Sequence, residues 1–168
     1  MPSAKSNRGV PAQISSASKA AATKSGPLDA MKLYRLSVMD RVDLVREGVP
    51  AEYVQELATS MDIPKEKFYR TIGIARPTVD RKIRQRKRLS QDESERVMGI
   101  ARLIGLAQSL VQTSGGPQDF DAARWLASWL DEPLNALGGK RPAEFMDTSE
   151  GRSLIAGLLA QQQSGAYA

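Results

Sequence analysis

The sequence predicts an all-α protein: a helix-turn-helix body followed by a small helical body, the two sharing one long connecting helix. Three observations carry this. Apolar residues recur at helical spacing, as in Phe68 and Ile72 or Val79 and Ile83. The composition, 41% hydrophobic but only 5% aromatic, suits bundles built from Leu, Ile, Ala and Met. Ser90 with Glu93 three residues on is a capping box that opens the longest helix. A chain of 168 residues holds one respectable core or two small ones sharing a face, and one compact helical body is expected.

Residues 1–26 are rich in Ser, Ala, Lys and Gly and contain no acid, so a disordered basic tail is expected before order begins near Pro27-Leu28. Lys5, Arg8, Lys19 and Lys24 could touch phosphates as a flexible arm, but a solvated tail is the plainer expectation. From Leu28 to Glu47, Leu33, Leu36, Val38, Val42, Leu44 and Val45 lie between charges and predict helix with a break near Ser37. Gly48-Val49-Pro50 ends it, because the residue before Pro resists the α conformation. A helix from Ala51 to about Met61 follows, burying Tyr53, Val54, Leu57 and Ala58.

Residues 64–88 read as the helix-turn-helix itself. Lys65 to Ile72 forms its first helix, Gly73 the turn and Ile74 the corner, with the second helix starting at Arg76 and Pro77 in its first turn. With Val79 and Ile83 inward, 100° per residue turns Thr78, Arg81, Arg84, Gln85 and Arg88 outward. Arg and Gln bridge guanine and adenine edges with paired hydrogen bonds, so Thr78, Arg81 and Gln85 are the candidate base readers. Arg76, Lys82, Arg84, Lys87 and Arg88 are the candidate phosphate contacts. Seven bases against the single acid Asp80 within thirteen positions fit poorly with an ordinary charged helix face.

The capped helix that follows is apolar on two sides. Val97, Ile100, Ala101, Ile104 and Val111 form one face; Leu103, Leu106 and Leu110 form another. Two apolar faces need two neighbours, and the second face is expected to meet its counterpart in a homodimer. The alternative is burial within a monomer. After the Gly115-Gly116-Pro117 loop, Asp119 is expected to cap a helix with Phe120, Ala123, Leu126, Trp129 and Leu130 inward and Trp125 off the stripe.

Cysteine and histidine are absent, which excludes zinc fingers, thiol nucleophiles and the commonest general base. The acidic residues lie on polar helix faces, so no catalytic residue, metal site or cofactor is assigned and no small-molecule substrate is expected. No apolar run suits a membrane span and no signal peptide opens the chain, so the expected location is cytoplasmic. The net charge of +5 is concentrated in the tail and in residues 76–88, while residues 89–168 are acidic. Such a layout suggests nucleic acid at one end and a different partner at the other.

Residues 129–151 concentrate breakers among large apolar residues: Trp129-Leu130, Pro133, Ala136-Leu137-Gly138-Gly139, a short helical turn from Ala143 to Met146 behind Pro142, then Asp147-Thr148 as an N-cap and Gly151. Leu154, Ile155, Leu158 and Leu159 form an apolar face on the final helix, Ser149 to Gln163. In that order these features closely resemble the C-terminal toxin-binding domain of the MbcA/ParS/Xre antitoxins. Residues 64–88 resemble their Xre-like DNA-binding fold, with Gly73 at the turn and Val79 six residues on. Tyr69, where a small residue is common, and Lys82, where an apolar one often lies, depart from it, as does Leu134 after Pro133, where the family often has Asn.

The resemblance divides the ordered chain into a DNA-binding and dimerisation domain, residues 27–113, and a toxin-binding domain, residues 114–168. It implies an antitoxin of a type II toxin–antitoxin system. The implied partner is a cognate RES-domain toxin that consumes or transfers from NAD, with its active site covered by the C-terminal domain, and the chain binds operator DNA to repress its own operon. Expected toxin contacts are Arg152, Leu158, Gln161, Gln162 and Tyr167, the last as an aromatic anchor. The competing expectations are a free-standing helix-turn-helix regulator whose C-terminal domain senses a ligand or dimerises, and a structural oligomerisation module.

Overall fold

Residues 29–162 are described by the structure, a computed structural model. The tail of residues 1–26 and Tyr167 lie outside that range, as does the side chain of Gln162. Helix α1 spans Ala30–Arg35 and α2 spans Val38–Glu47. They are separate because the Ser37 hydroxyl accepts from the Asp40 N–H at 3.1 Å, an N-cap at the expected break. Helices α3 (Glu52–Ser60), α4 (Lys65–Ile72) and α5 (Arg76–Arg84) follow, then the long α6 (Gln91–Thr113), α7 (Ala122–Asp131) and α8 (Ser149–Gln162). Short 3-10 turns, Asn135–Leu137 and Pro142–Phe145, link α7 to α8.

The Ser90–Glu93 capping box forms at the start of α6: the Ser90 hydroxyl accepts from the Glu93 N–H at 3.2 Å, and the Glu93 carboxylate accepts from the Ser90 N–H at 2.7 Å. The cap of α7 falls two residues later than expected. The Phe120 N–H donates to the Pro117 carbonyl at 3.4 Å, which keeps Asp119 in a turn, and the Asp121 carboxylate accepts from the Arg124 N–H at 3.1 Å instead.

Helix α6 is the spine, with α1, α2, α4, α7 and α8 all packed along it. One contiguous cluster of buried residues runs from Leu33 through Phe68, Val79, Val97 and Ile100 to Leu126, Met146, Ile155 and Leu159, so both halves of the chain share a core. The second apolar face of α6 is occupied from within the chain: α1 and α2 lie along the helix, Leu103 is buried, and Leu106 and Leu110 are half-buried. Backbones come close here, since a Cβ on Gly105 would lie 2.4 Å from the Tyr34 Cβ and 2.8 Å from the Ala30 carbonyl oxygen. The two neighbours that a doubly apolar helix needs are thus both intramolecular, and α6 offers no argument for a second subunit.

The α2–α3 turn and the segment before α6 are stitched together. The Leu89 N–H donates to the Val49 carbonyl at 2.9 Å, the Arg88 guanidinium donates to the Gly48 carbonyl at 2.6 Å, and the Val49 N–H donates to the hydroxyl of buried Ser94 at 3.0 Å. No helix among the described residues is long and apolar enough to cross a membrane.

Candidate functional site

The expected helix-turn-helix is present with its expected bounds. Phe68 and Ile72 of α4 and Val79 of α5 are fully buried, and Ile74 fills the corner between them. Gly73 ends α4 in the left-handed region, φ 66°, where a side chain would be strained. Pro77 sits in the first turn of α5. Tyr69 is a core residue between α3 and α4, its hydroxyl accepting from the Gln55 amide at 3.3 Å. Burial raises its pKa above the usual phenol value.

The cations of this segment divide by what holds them. Arg76 pairs with Glu66 at 2.8 Å and Asp80 at 3.2 Å. Lys82, a candidate phosphate contact, is instead turned toward α6, where it meets Glu93 at 2.5 Å with both side chains only 16% exposed. This pair gives Lys82 a partner at the position where the resemblance implied an apolar residue, with half-buried Ile83 packed against the core beside it. Burial works to raise the Glu93 carboxyl, but the hydrogen bonds from Lys82 and the Ser90 N–H and the Lys82 charge outweigh it, leaving the group below the usual carboxylate value. Thr78 is half-buried, while Arg81 and Arg84 are exposed and make no ion pair among the described residues.

Helix α5 stops at Arg84, earlier than the projection of residues 78–88 onto one helix required. Gln85 is its C-cap, Arg86 turns left-handed at φ 50°, and Lys87 and Arg88 lie in the connection to α6. Gln85, Lys87 and Arg88 are therefore presented by a loop beside the helix, and Arg88 is tied to Gly48. Arg86, absent from the sequence-derived set, is exposed in the same loop. Its signal was available in the run Arg84-Gln85-Arg86-Lys87-Arg88, but a continuous helix would have turned it away from Arg84 and Arg88.

The second candidate surface is carried by α7, the 3-10 turns and α8. Leu134 and Lys140 pair across the Gly138-Gly139 turn, the Leu134 N–H donating to the Lys140 carbonyl at 3.0 Å. Thr148 caps α8, its hydroxyl accepting from the Gly151 N–H at 3.1 Å. Ile155 and Leu159 point into the core, whereas Leu158 is half-buried and Leu154, expected inward, is 47% exposed. The buried line of α8 runs through Ile155 and Leu159, four residues apart, and Leu154 lies about 100° around the helix from Ile155. Gln161 is exposed.

Arg152 is half-buried and lies across α6 at Gly99, where a Cβ would come within 2.4 Å of its Cδ; its guanidinium donates to the Met146 carbonyl at 3.2 Å. Burial, then the Arg96 charge, holds its pKa below the usual guanidinium value. It lines a groove of about 770 Å³ between α2, α6 and α8, together with Arg41, Arg46 and Arg102. On α7, Trp125 is 37% exposed and stacks on buried Trp129 with ring centroids 6.1 Å apart, while the Phe120 ring lies tilted to Trp125 at 5.9 Å.

Comparison with known proteins assigns both halves. Residues 40–110 match the Antitoxin Xre-like helix-turn-helix domain, and residues 118–165 match the Antitoxin Xre/MbcA/ParS C-terminal toxin-binding domain. The chain is 37% identical to a Prs ADP-ribosylating antitoxin from Sphingobium, over 90% of this chain and 96% of that one. It is 25% identical to proteins named Antitoxin Xre from Yersinia enterocolitica, over 75% of this chain and 80% of that one, and from Photorhabdus laumondii, over 73% and 77%.

Proposed function

Because the chain belongs to the Xre/MbcA/ParS antitoxin family, and so is the antitoxin of a toxin–antitoxin pair, we propose that its cognate toxin is a RES-domain enzyme that consumes NAD. The C-terminal body, residues 114–168, covers the toxin's active-site entrance, and the helix-turn-helix body, residues 27–113, binds the operator of the pair's own promoter. Both act in the cytoplasm. The chain itself performs no chemistry; inhibition by covering needs shape and buried area. The Sphingobium relative's name couples an antitoxin to ADP-ribosylation, a reaction that draws on NAD, which favours this toxin class.

The observation that carries the proposal is the division of surface over one core. Arg81 and Arg84 project unpaired at one end, while the C-terminal half leaves two large apolar side chains, Trp125 and Leu154, exposed. Unpaired cations suit phosphate and guanine edges, and exposed aromatic and aliphatic anchors suit a protein interface. Leu158, Gln161, Gln162 and Tyr167 complete the proposed toxin surface; Arg152 supports it from beneath, packed on α6 at Gly99 and hydrogen-bonded to the Met146 carbonyl ahead of α8. A homodimer reading two half-sites belongs to the proposal through operator symmetry, with exposed Val38 and Met39 on α2 as its surface.

The test is coexpression with the adjacent gene. The neighbour alone is expected to arrest growth and deplete NAD, and this chain is expected to copurify with it, restore growth and retard a duplex of the shared promoter. A neighbour that is harmless, or whose toxicity this chain leaves unchanged, refutes the proposal.

A further inference from the structure

Two residues other than glycine adopt positive φ among the described residues, Asp62 at 55° and Arg86 at 50°. The left-handed region crowds the Cβ of any L-residue against the backbone, so such a position is normally glycine, with Asn and Asp as the tolerated substitutes. Asp62 fits that rule and also lies 3.7 Å from Arg124 of α7. Arg86 fits no part of it. It occupies the position just past α5 where the chain must reverse, with its own N–H donating to Ile83 and the next to Lys82, at 3.0 and 2.8 Å. Glycine would close the same turn without strain.

Nothing in the described structure compensates for the arginine. Its side chain is exposed and makes no hydrogen bond or ion pair there. Residues 1–28 and 163–168 contain no Asp or Glu, so no side-chain carboxylate outside the described range can pair with it either. Its surroundings add repulsion: Arg84, Lys87 and Arg88 are its neighbours, and the two nearby acids, Asp80 and Glu93, are engaged by Arg76 and Lys82. A left-handed backbone carrying an unpaired cation in a crowd of cations is a local cost that glycine would avoid, so the charge is the property that distinguishes this residue from glycine.

We propose that Arg86 is a phosphate-backbone contact to duplex DNA, held at the turn after α5 so that the α5–α6 loop, through Arg86 and Lys87, grips the duplex backbone beside Arg84 at the end of the helix that enters the groove. This rests on the operator-binding reading above and adds to it a residue that reading did not contain. The contact is sequence-independent. It positions α5 and contributes through release of condensed counterions.

The experiment replaces Arg86 with glycine in the full chain and measures two quantities expected to move in opposite directions. Relief of the left-handed backbone raises Tm by about 2–4 °C. Loss of one phosphate contact makes the slope of log affinity against log salt shallower by about 0.9, which at 0.15 M salt is about a fivefold weaker Kd. The probes are a duplex of the chain's own promoter and a random-sequence duplex of equal length, and both weaken by the same factor. Arg86→Lys keeps the charge and stays within about twofold of the parent on both duplexes. If the parent chain binds its promoter and Arg86→Gly binds it with unchanged affinity and slope, the assignment of Arg86 is overturned while operator binding stands. If the parent binds neither duplex at low salt, both fall together.

Discussion

Replacing Gly151 with alanine probes how closely α8 is fitted to the turn before it. A Cβ at this position would lie 1.9 Å from the Phe145 carbonyl oxygen and 2.8 Å from both the Phe145 carbonyl carbon and the Thr148 hydroxyl. Ordinary contact begins near 3.4 Å, so helix and carbonyl must part by about 1.5 Å. The oxygen belongs to the backbone of a 3-10 turn and not to the end of a flexible side chain, so it yields only if the turn moves, and that displacement opens the layer holding Met146, Ile155 and Leu159. Alanine gains about 1 kcal/mol in helix propensity. Overpacking against rigid structure costs about 3 kcal/mol. The net destabilisation is then about 2 kcal/mol, a fall in Tm of about 4–8 °C for a chain of this size.

Gly157, six residues on in the same helix, is the control, because its added Cβ meets nothing within 4 Å. Alanine there is expected to stabilise by about 0.5–1 kcal/mol, raising Tm by about 1–4 °C. Thermal unfolding followed by circular dichroism compares the two. A Gly151→Ala protein that melts at or above the parent temperature, or a Gly157→Ala protein that falls with it, refutes the close packing of α8 on the Phe145 turn.

The buried Tyr53 hydroxyl has no hydrogen-bond partner among the described residues, so Tyr53→Phe should raise stability by about 1 kcal/mol in urea unfolding. Because Glu93 sits below the usual value of 4.5 in the folded state, its contribution is complete above about pH 4.5 and is lost as pH falls through the folded pKa. Lys82→Met should therefore lower stability at pH 7 by more than at pH 3, measured as the difference from the parent protein at each pH. Leu154→Asp should abolish growth protection against the coexpressed toxin while leaving Tm within about 2 °C, since a surface change away from the core is worth about 0.5 kcal/mol. A large loss of Tm would mean that Leu154 packs inward after all.

The helix-turn-helix was legible in sequence because its signals are local. The four-residue spacing of Phe68 and Ile72, the Gly73 turn and the first-turn Pro77 act within a dozen residues, and α4 and α5 begin where they say. The end of α5 was not legible. Gln85, Arg86, Lys87 and Arg88 all tolerate helix, and the stop comes from the pairing of Leu89 with Val49, some forty residues away. The fate of the second α6 face was hidden for a similar reason: periodicity shows that Leu103, Leu106 and Leu110 need cover but not whose. Gly105 within an apolar helix was the available hint of a close intramolecular neighbour. Leu154 was misplaced because an apolar stripe marks a direction, and the width of the covering element decides how much of it is buried.

The core common to both halves makes the two grips of this antitoxin fail as one. Since Val97, Ile100, Leu126, Ile155 and Leu159 belong to the same cluster as Phe68, Ile72 and Val79, opening α8 exposes the underside of α6 and breaks into the core that the helix-turn-helix shares, in one cooperative event. If the chain holds both toxin and promoter as proposed, a cellular protease that captures the opened chain would release the two together, and the lifetime of the folded state would set the clock for both.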